Sequence, residues 1–431
     1  MKGMRNVGWM FGVVSILFFL GSSSINGAEL RDLWSKFHPY ITVQEEYNSN
    51  INLTPTNRKD DFTTTISPGI KFSTTNQHHG LDLDYHLGFV FYAKEHEKND
   101  NYISMAGNLN AWYTAARGLT FRVRDYIIRS DELREREYSA TAIEGQYLLS
   151  TTRERNVFFR NVFEPSIEYQ FGKDDLIGLT YRNNIYWNQS RGIQDSQENF
   201  ISPKLTYWFD IRNGISLEYG LTLGNFDRSP DLTGHMATGR FTHRFNPRTS
   251  IFGEYTFSRR DFKSPSVDYD VQRPTFGIEH AFSPTLSGRA QAGYFWEKPE
   301  RGPKTKGPSY DMSLTQRQEK TTYGLTFQGG YTEDFFTAEN LGFTKYHRAI
   351  ATVSHRLRER ITVGLSSTLE RARFSNPDRT DNIWGIRGNA SYMLFKWMTL
   401  SLEASHRENH SSIDNRDYSE YRGIFRVTAT Y

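Results

Sequence analysis

The chain has 431 residues, a formal net charge of +3 and no cysteine. Without thiols there is no lipid-anchored cysteine, no disulfide and no thiolate metal site. The near-balanced charge offers no footprint for a nucleic-acid partner.

The N-terminus opens with Met1, Lys2 and Arg5, followed by an apolar run from Val7 to Leu20 and small residues from Gly21 to Ser24. Charged, apolar and small segments in that order predict a cleaved secretory signal over residues 1–28, with the cut between Ser24 and Ala28. Residues 29–431 are then expected to form one domain. The apolar run is short for an anchor helix, and no later segment approaches the roughly 18 apolar residues of a membrane-spanning helix.

Beyond the signal, period-two runs follow one another. Leu81, Leu83, Tyr85, Leu87, Phe89 and Phe91 alternate with Asp82, Asp84, His86 and Gly88. Leu119, Phe121 and Val123 alternate with Thr120, Arg122 and Arg124. Ile215, Leu217, Tyr219, Leu221 and Leu223 alternate with Ser216, Glu218, Gly220 and Thr222. Ile361, Val363, Leu365 and Leu369 alternate with Thr362, Gly364, Ser366, Thr368 and Glu370. The last run sets Tyr421, Gly423, Phe425, Val427, Ala429 and Tyr431 against Arg422, Ile424, Arg426, Thr428 and Thr430. Alternation at this period is the signature of a strand with one apolar and one polar face.

Short turn signals, such as those at 116–118, 210–214 and 395–396, alternate with longer polar linkers at 49–60, 189–196 and 333–342. The spacing runs from Tyr40 to Tyr431 without a domain break and predicts about 20 strands, with 18 the nearest alternative. The mean hydropathy of −0.65 alongside 15% aromatic residues suits a wall in which every second residue meets lipid. In a bilayer every backbone group must be paired, so the sheet must close. The expected fold is all-β: a transmembrane antiparallel up-and-down β-barrel of the Gram-negative outer membrane. Pro68, Pro165, Pro203 and Pro274 fall inside predicted strands on the lipid side, and local bulges are expected there.

Several stretches resemble a known group. They are Glu45-Glu46-Tyr47-Asn48-Ser49-Asn50-Ile51, Ile66-Ser67-Pro68-Gly69, Tyr331-Thr332-Glu333-Asp334-Phe335-Phe336, Asp378-Arg379-Thr380-Asp381, and the close from Arg416-Asp417-Tyr418 to Thr428-Ala429-Thr430-Tyr431. The resemblance is to the beta-barrel porin 2 type of outer-membrane protein, and within it to those associated with PEP-CTERM/exosortase and exopolysaccharide systems. It implies a role in moving or anchoring envelope polysaccharide, by association and not by any catalytic motif.

The alternation also assigns an inward face. Its basic members include Lys71, Lys204, Arg244, Arg356, Arg407 and Arg422. The pore-lining candidates are Arg122, Arg124, Arg160, Arg182, Arg240, Arg273, Arg289, Arg348, Arg387 and Arg426. The inward acids are Asp82, Asp84, Glu164, Glu168, Glu218, Glu254, Glu279, Glu370 and Glu403. A surplus of planar guanidinium forks favours anionic or polyhydroxylated solutes; the plainer reading is that wall charges pair across strands. The histidines show no metal spacing, and no catalytic set is marked, so neither a cofactor nor an enzyme is expected. About ten residues separate the mature start from the first strand, too few for a plug domain. The 130–156 linker is expected to fold into the mouth or to stand above it.

The leading expectation is a passive conduit for exopolysaccharide or another polar, anionic solute. A structural partner of a secretion system with a filled lumen is the alternative, and an outer-membrane hydrolase a distant third. Expected partners are outer-membrane lipid, the barrel-assembly machinery through the C-terminal strand, and periplasmic polysaccharide-export components.

Overall fold

A computed structural model of the chain describes residues 35–96, 103–131, 156–190, 192–336, 342–375 and 378–431. The expected signal segment and most of the 130–156 linker lie outside these residues. The described chain forms one 20-stranded antiparallel sheet. Its strands are β1 (Phe37–Asn48), β2 (Asp61–Thr75), β3 (His79–Tyr92), β4 (Ile103–Ala116), β5 (Leu119–Ser130), β6 (Phe158–Gln170) and β7 (Leu176–Asn188). There follow β8 (Ser196–Trp208), β9 (Asn213–Phe226), β10 (Leu232–Asn246), β11 (Thr249–Phe262), β12 (Tyr269–Ala281), β13 (Leu286–Pro299) and β14 (Thr305–Arg317). The last are β15 (Thr321–Asp334), β16 (Gly342–Arg358), β17 (Ile361–Ser375), β18 (Asp378–Phe395), β19 (Met398–Ser411) and β20 (Tyr418–Thr430).

Each strand pairs with the next, and β20 returns to β1 with Val427 opposite Val43 and Gly423 opposite Tyr47. The up-and-down barrel is therefore closed and has no edge, as backbone in hydrocarbon requires. Its faces are inverted relative to a soluble protein. On β17, Leu365 and Leu369 are exposed, while the carboxylate-bearing Glu370 between their rows is buried. Apolar side chains outside and charges inside place lipid around the wall. The end with the short turns is the periplasmic one. Exposed Phe171, Phe209, Phe245, Phe282, Phe395 and Trp397 mark the aromatic girdle there.

The turns themselves are held by side chains. Asp210 accepts from the backbone N–H of Arg212 at 2.6 Å and of Asn213 at 2.8 Å, and from the Asn213 side chain at 2.8 Å. The Asn213 amide, then the two backbone donors, hold the Asp210 carboxyl below the usual carboxylate range.

The four prolines do not make the expected bulges. Toward the preceding strand, pairing runs straight through them: Pro68 opposite Ile41, Pro165 opposite Val123, Pro203 opposite Leu179 and Pro274 opposite Tyr255. Toward the following strand, two pairs are lost and the register then resumes unchanged. Pairing goes from Ile66–Phe89 to Gly69–His86, and from Phe163–Asn183 to Ser166–Thr180. It likewise goes from Ile201–Leu221 to Lys204–Glu218, and from Gln272–Trp296 to Thr275–Gly293. Proline removes a donor, which opens a ladder locally, whereas a bulge needs an inserted residue. The register shifts that do occur sit beside short turns, at Thr114/Ala116, Arg244/Asn246, Arg356/Arg358 and Met393/Phe395.

Closure gives the last strand its weight. The Tyr431 N–H donates to the Pro39 carbonyl at 2.9 Å, and its ring is 96% exposed on the lipid side of the alternation. Replacing Tyr431 with Asp, or deleting it, should reduce the folded fraction in the outer membrane severalfold. The measurement is the ratio of heat-modifiable to unfolded band on gels of membrane fractions. A wild-type ratio would remove the terminal aromatic from the assembly argument.

Candidate functional site

The interior wall is built from every second residue of each strand. For the ten arginines expected to line it, the register decides what each one meets. Arg122 pairs with Glu168, and Arg124 lies 3.6 Å from Glu164. Arg182 sits 2.7 Å from Glu198 and 4.0 Å from Glu164. Arg240 and Arg289 share Glu279, at 3.0 and 3.9 Å. Arg273 lies 3.9 Å from Glu254, Arg348 2.8 Å from Glu370 and Arg387 3.4 Å from Glu403. Arg160 is buried and donates to Asn184 at 3.1 Å, and Arg426 donates to Gln44 at 2.6 Å. Most of these contacts join neighbouring strands, so they brace the wall as well as charge it.

Packing fixes two of these groups further. Phe252 lies across Gly277, its register partner on β12, where a Cβ would fall inside the ring. The ring so placed carries the Arg240 guanidinium 3.6 Å from its centroid and that of Arg289 at 5.3 Å. Such cation–π contacts help to hold both guanidinium groups beside the ring.

The predicted basic surplus is reduced but not cancelled. Beyond the expected acids, Glu46, Glu198, Glu297, Asp311, Asp381 and Glu420 also lie on the inner face. The bases gained are fewer: Arg260, Arg317 and Arg379. Several of the added acids are bound in pairs, as in the two 2.9 Å bonds from Arg422 to Glu46 and the 3.0 Å approach of Arg379 to Asp381. Most of these acids sit toward the strand ends near the longer linkers. There the period-two pattern fades into the loop and gives no clear face.

A feature not expected from the sequence is an aromatic cluster at the outer end of the barrel. Phe335 and Phe336, just past β15, reach across to β9 and β11. Phe336 stacks on Phe226 at 5.3 Å, and Phe335 meets Phe262 at 5.5 Å. Leu232, Tyr269, Val271, Phe295 and Phe343 complete the cluster. Beneath it, Glu333 accepts from Arg260 at 3.1 and 2.7 Å and from the Tyr269 hydroxyl at 2.7 Å. The alternation of β15 changes at Gly329-Gly330. Phe327 is exposed on the lipid side, whereas Tyr331 stacks on Phe343 inside, at 5.0 Å. The 333–342 stretch reads as a polar linker by composition; within it the adjacent pair Phe335-Phe336 is the signal for the cluster.

A closed barrel with a lipid-facing apolar wall and a charged, braced interior defines a porin-like protein of the outer-membrane type. Within that class the chain belongs to the family described as "Putative beta-barrel porin 2", which it matches over residues 175–431. Among solved structures it is similar to the ferric enterobactin receptor PfeA of Pseudomonas aeruginosa, at 8% identity and a TM-score of 0.52, covering 92% of this chain and 81% of that one. It is also similar to OccK3 of Pseudomonas aeruginosa, at 11% identity and a TM-score of 0.43, covering 96% and 99%. At 8% identity the likeness to PfeA is one of fold alone. No curated protein matches the chain.

Proposed function

We propose that the barrel is a passive conduit of the Gram-negative outer membrane for polar, anionic solutes, with exopolysaccharide as the leading cargo. The observation that carries the reading is the inner wall itself. Arg122, Arg124, Arg240 and Arg289 stand on it partly exposed, each beside a carboxylate. Each guanidinium has five donors in a fixed fork. A pair with one carboxylate leaves donors for a passing carboxylate or sugar hydroxyl. The reduced surplus of inner charge makes the expected anion preference weak.

A second reading rests on the mouth cluster. If Phe335 and Phe336 seal the lumen permanently, the protein is a structural partner of an envelope polysaccharide system and not a conduit. Planar-bilayer recording separates the two. The conduit reading expects discrete openings and a reversal potential on the anion side in a salt gradient. That preference should fade as ionic strength rises and screens the wall. Cation selectivity would overturn the charge argument. Silence from both the wild type and a variant with the mouth contacts removed would favour the structural reading.

A further inference from the structure

We propose that the periplasmic rim of the barrel is a binding belt for the phosphate headgroups of anionic glycerophospholipids. The short turns carry basic side chains around most of the circumference. Examples are Arg117 between β4 and β5, Lys173 between β6 and β7, Arg212 between β8 and β9, Arg248 between β10 and β11, Arg360 between β16 and β17, and Lys396 between β18 and β19. All six are exposed, and among the described residues none makes an ion pair.

The opposite end of the barrel behaves differently. There Lys59 pairs with Glu95 at 2.9 Å, Lys94 with Asp60 at 2.5 Å, Lys263 with Asp231 at 2.7 Å and Arg373 with Asp378 at 3.4 Å. At the periplasmic end three of the nearby acids are already engaged. Asp174 is taken by Arg244 at 2.8 Å, Asp175 accepts from the Trp208 N–H at 2.7 Å, and Asp210 holds its own turn. Glu319 and Glu359 are the exposed acids of the remaining basic turns. The rim thus carries more exposed cations than free acids, and most of those cations must find their counter-charge outside the chain.

Two features identify the partner as a lipid leaflet. The cations are interleaved with exposed apolar residues: Ile211, 85% exposed, precedes Arg212, and the stacked pair Phe395 and Trp397, 5.3 Å apart, flanks Lys396. An aromatic girdle sits at headgroup depth, and a Lys or Arg stem beside it can lie along the apolar layer while its charge meets a phosphate. The charges also recur on turns spread around the ring, and so match a continuous surface better than one docked protein.

The test is native mass spectrometry of the full-length protein released from detergent, titrated with phosphatidylglycerol or phosphatidylcholine of identical acyl chains. The wild type should retain phosphatidylglycerol at least about tenfold better. The combined variant Arg212→Gln, Arg248→Gln, Arg360→Gln and Lys396→Gln should lose that preference, whereas Lys59→Gln with Lys94→Gln and Lys263→Gln at the outer end should keep it. Should the fourfold variant fail the heat-modifiability test for folding, the two double variants Arg212→Gln/Arg248→Gln and Arg360→Gln/Lys396→Gln take its place, each expected to lose part of the preference. Equal retention of both lipids by the wild type overturns the proposal. So does an undiminished preference in the folded variants. Rim-dependent binding of soluble polygalacturonate without any lipid preference would also overturn it, and would mark the rim as a docking surface for a soluble polymer.

Discussion

Leu325→Arg should prevent stable insertion of the barrel, while Thr326→Arg, one residue away, should leave it folded. Leu325 is exposed on the outer face, with Leu314 and Ala351 as its register partners. Thr326 lies on the inner face opposite Ser313 and Ile350. A guanidinium in hydrocarbon costs about 2–4 kcal/mol near the midplane. That is a large part of the total stability of a typical folded protein. In the lumen the same group finds water and carboxylates. Urea unfolding in phospholipid vesicles, followed by tryptophan fluorescence, gives the two stabilities side by side. Equal losses at the two positions would mean that the assigned faces of β15 are wrong.

Glu333→Ala should open the outer mouth. It removes the acceptor of both Arg260 bonds and of the Tyr269 hydroxyl, and strands a largely shielded guanidinium beneath the aromatic cluster. Losing one partner of such a pair costs about 3 kcal/mol, the low end of the range for buried pairs. The chain segment carrying Phe335 and Phe336 is attached through Glu333, so the loss falls on the cluster and not on the wall. Single-channel conductance should rise, with a lower unfolding temperature for the mouth. The double variant Arg260→Met/Glu333→Leu replaces charge by apolar volume and should restore the stability, because no charge is left unpaired. A conductance unchanged in Glu333→Ala would show that the cluster does not limit the lumen.

The prolines show where reasoning from a single strand stops. Pro68, Pro165, Pro203 and Pro274 are recognisable in sequence as lipid-facing and as missing a ladder donor. How the sheet absorbs that loss depends on the strand beside each one. The structure leaves two pairs unmade on one side and keeps the register on the other. The same holds for charge. Arg240 is legible as an inward residue from its alternation, but its partner Glu279 lies two strands away and is chosen by the register.

The sequence by itself determined the class of fold and a strand count of about 20, with 18 left open. These follow from local physics: a strand alternates with period two, and a chain crossing a bilayer must pair all its backbone groups, so alternation and turn spacing are enough. Only the tertiary structure decided how the inner charges pair, how far the arginine surplus is cancelled, and that Phe335 and Phe336 pack on Phe226 and Phe262. Those outcomes depend on which residues of distant strands share a height, and on a segment reaching from β15 to β9. Composition reports neither, because contacts across the barrel leave no period in the chain.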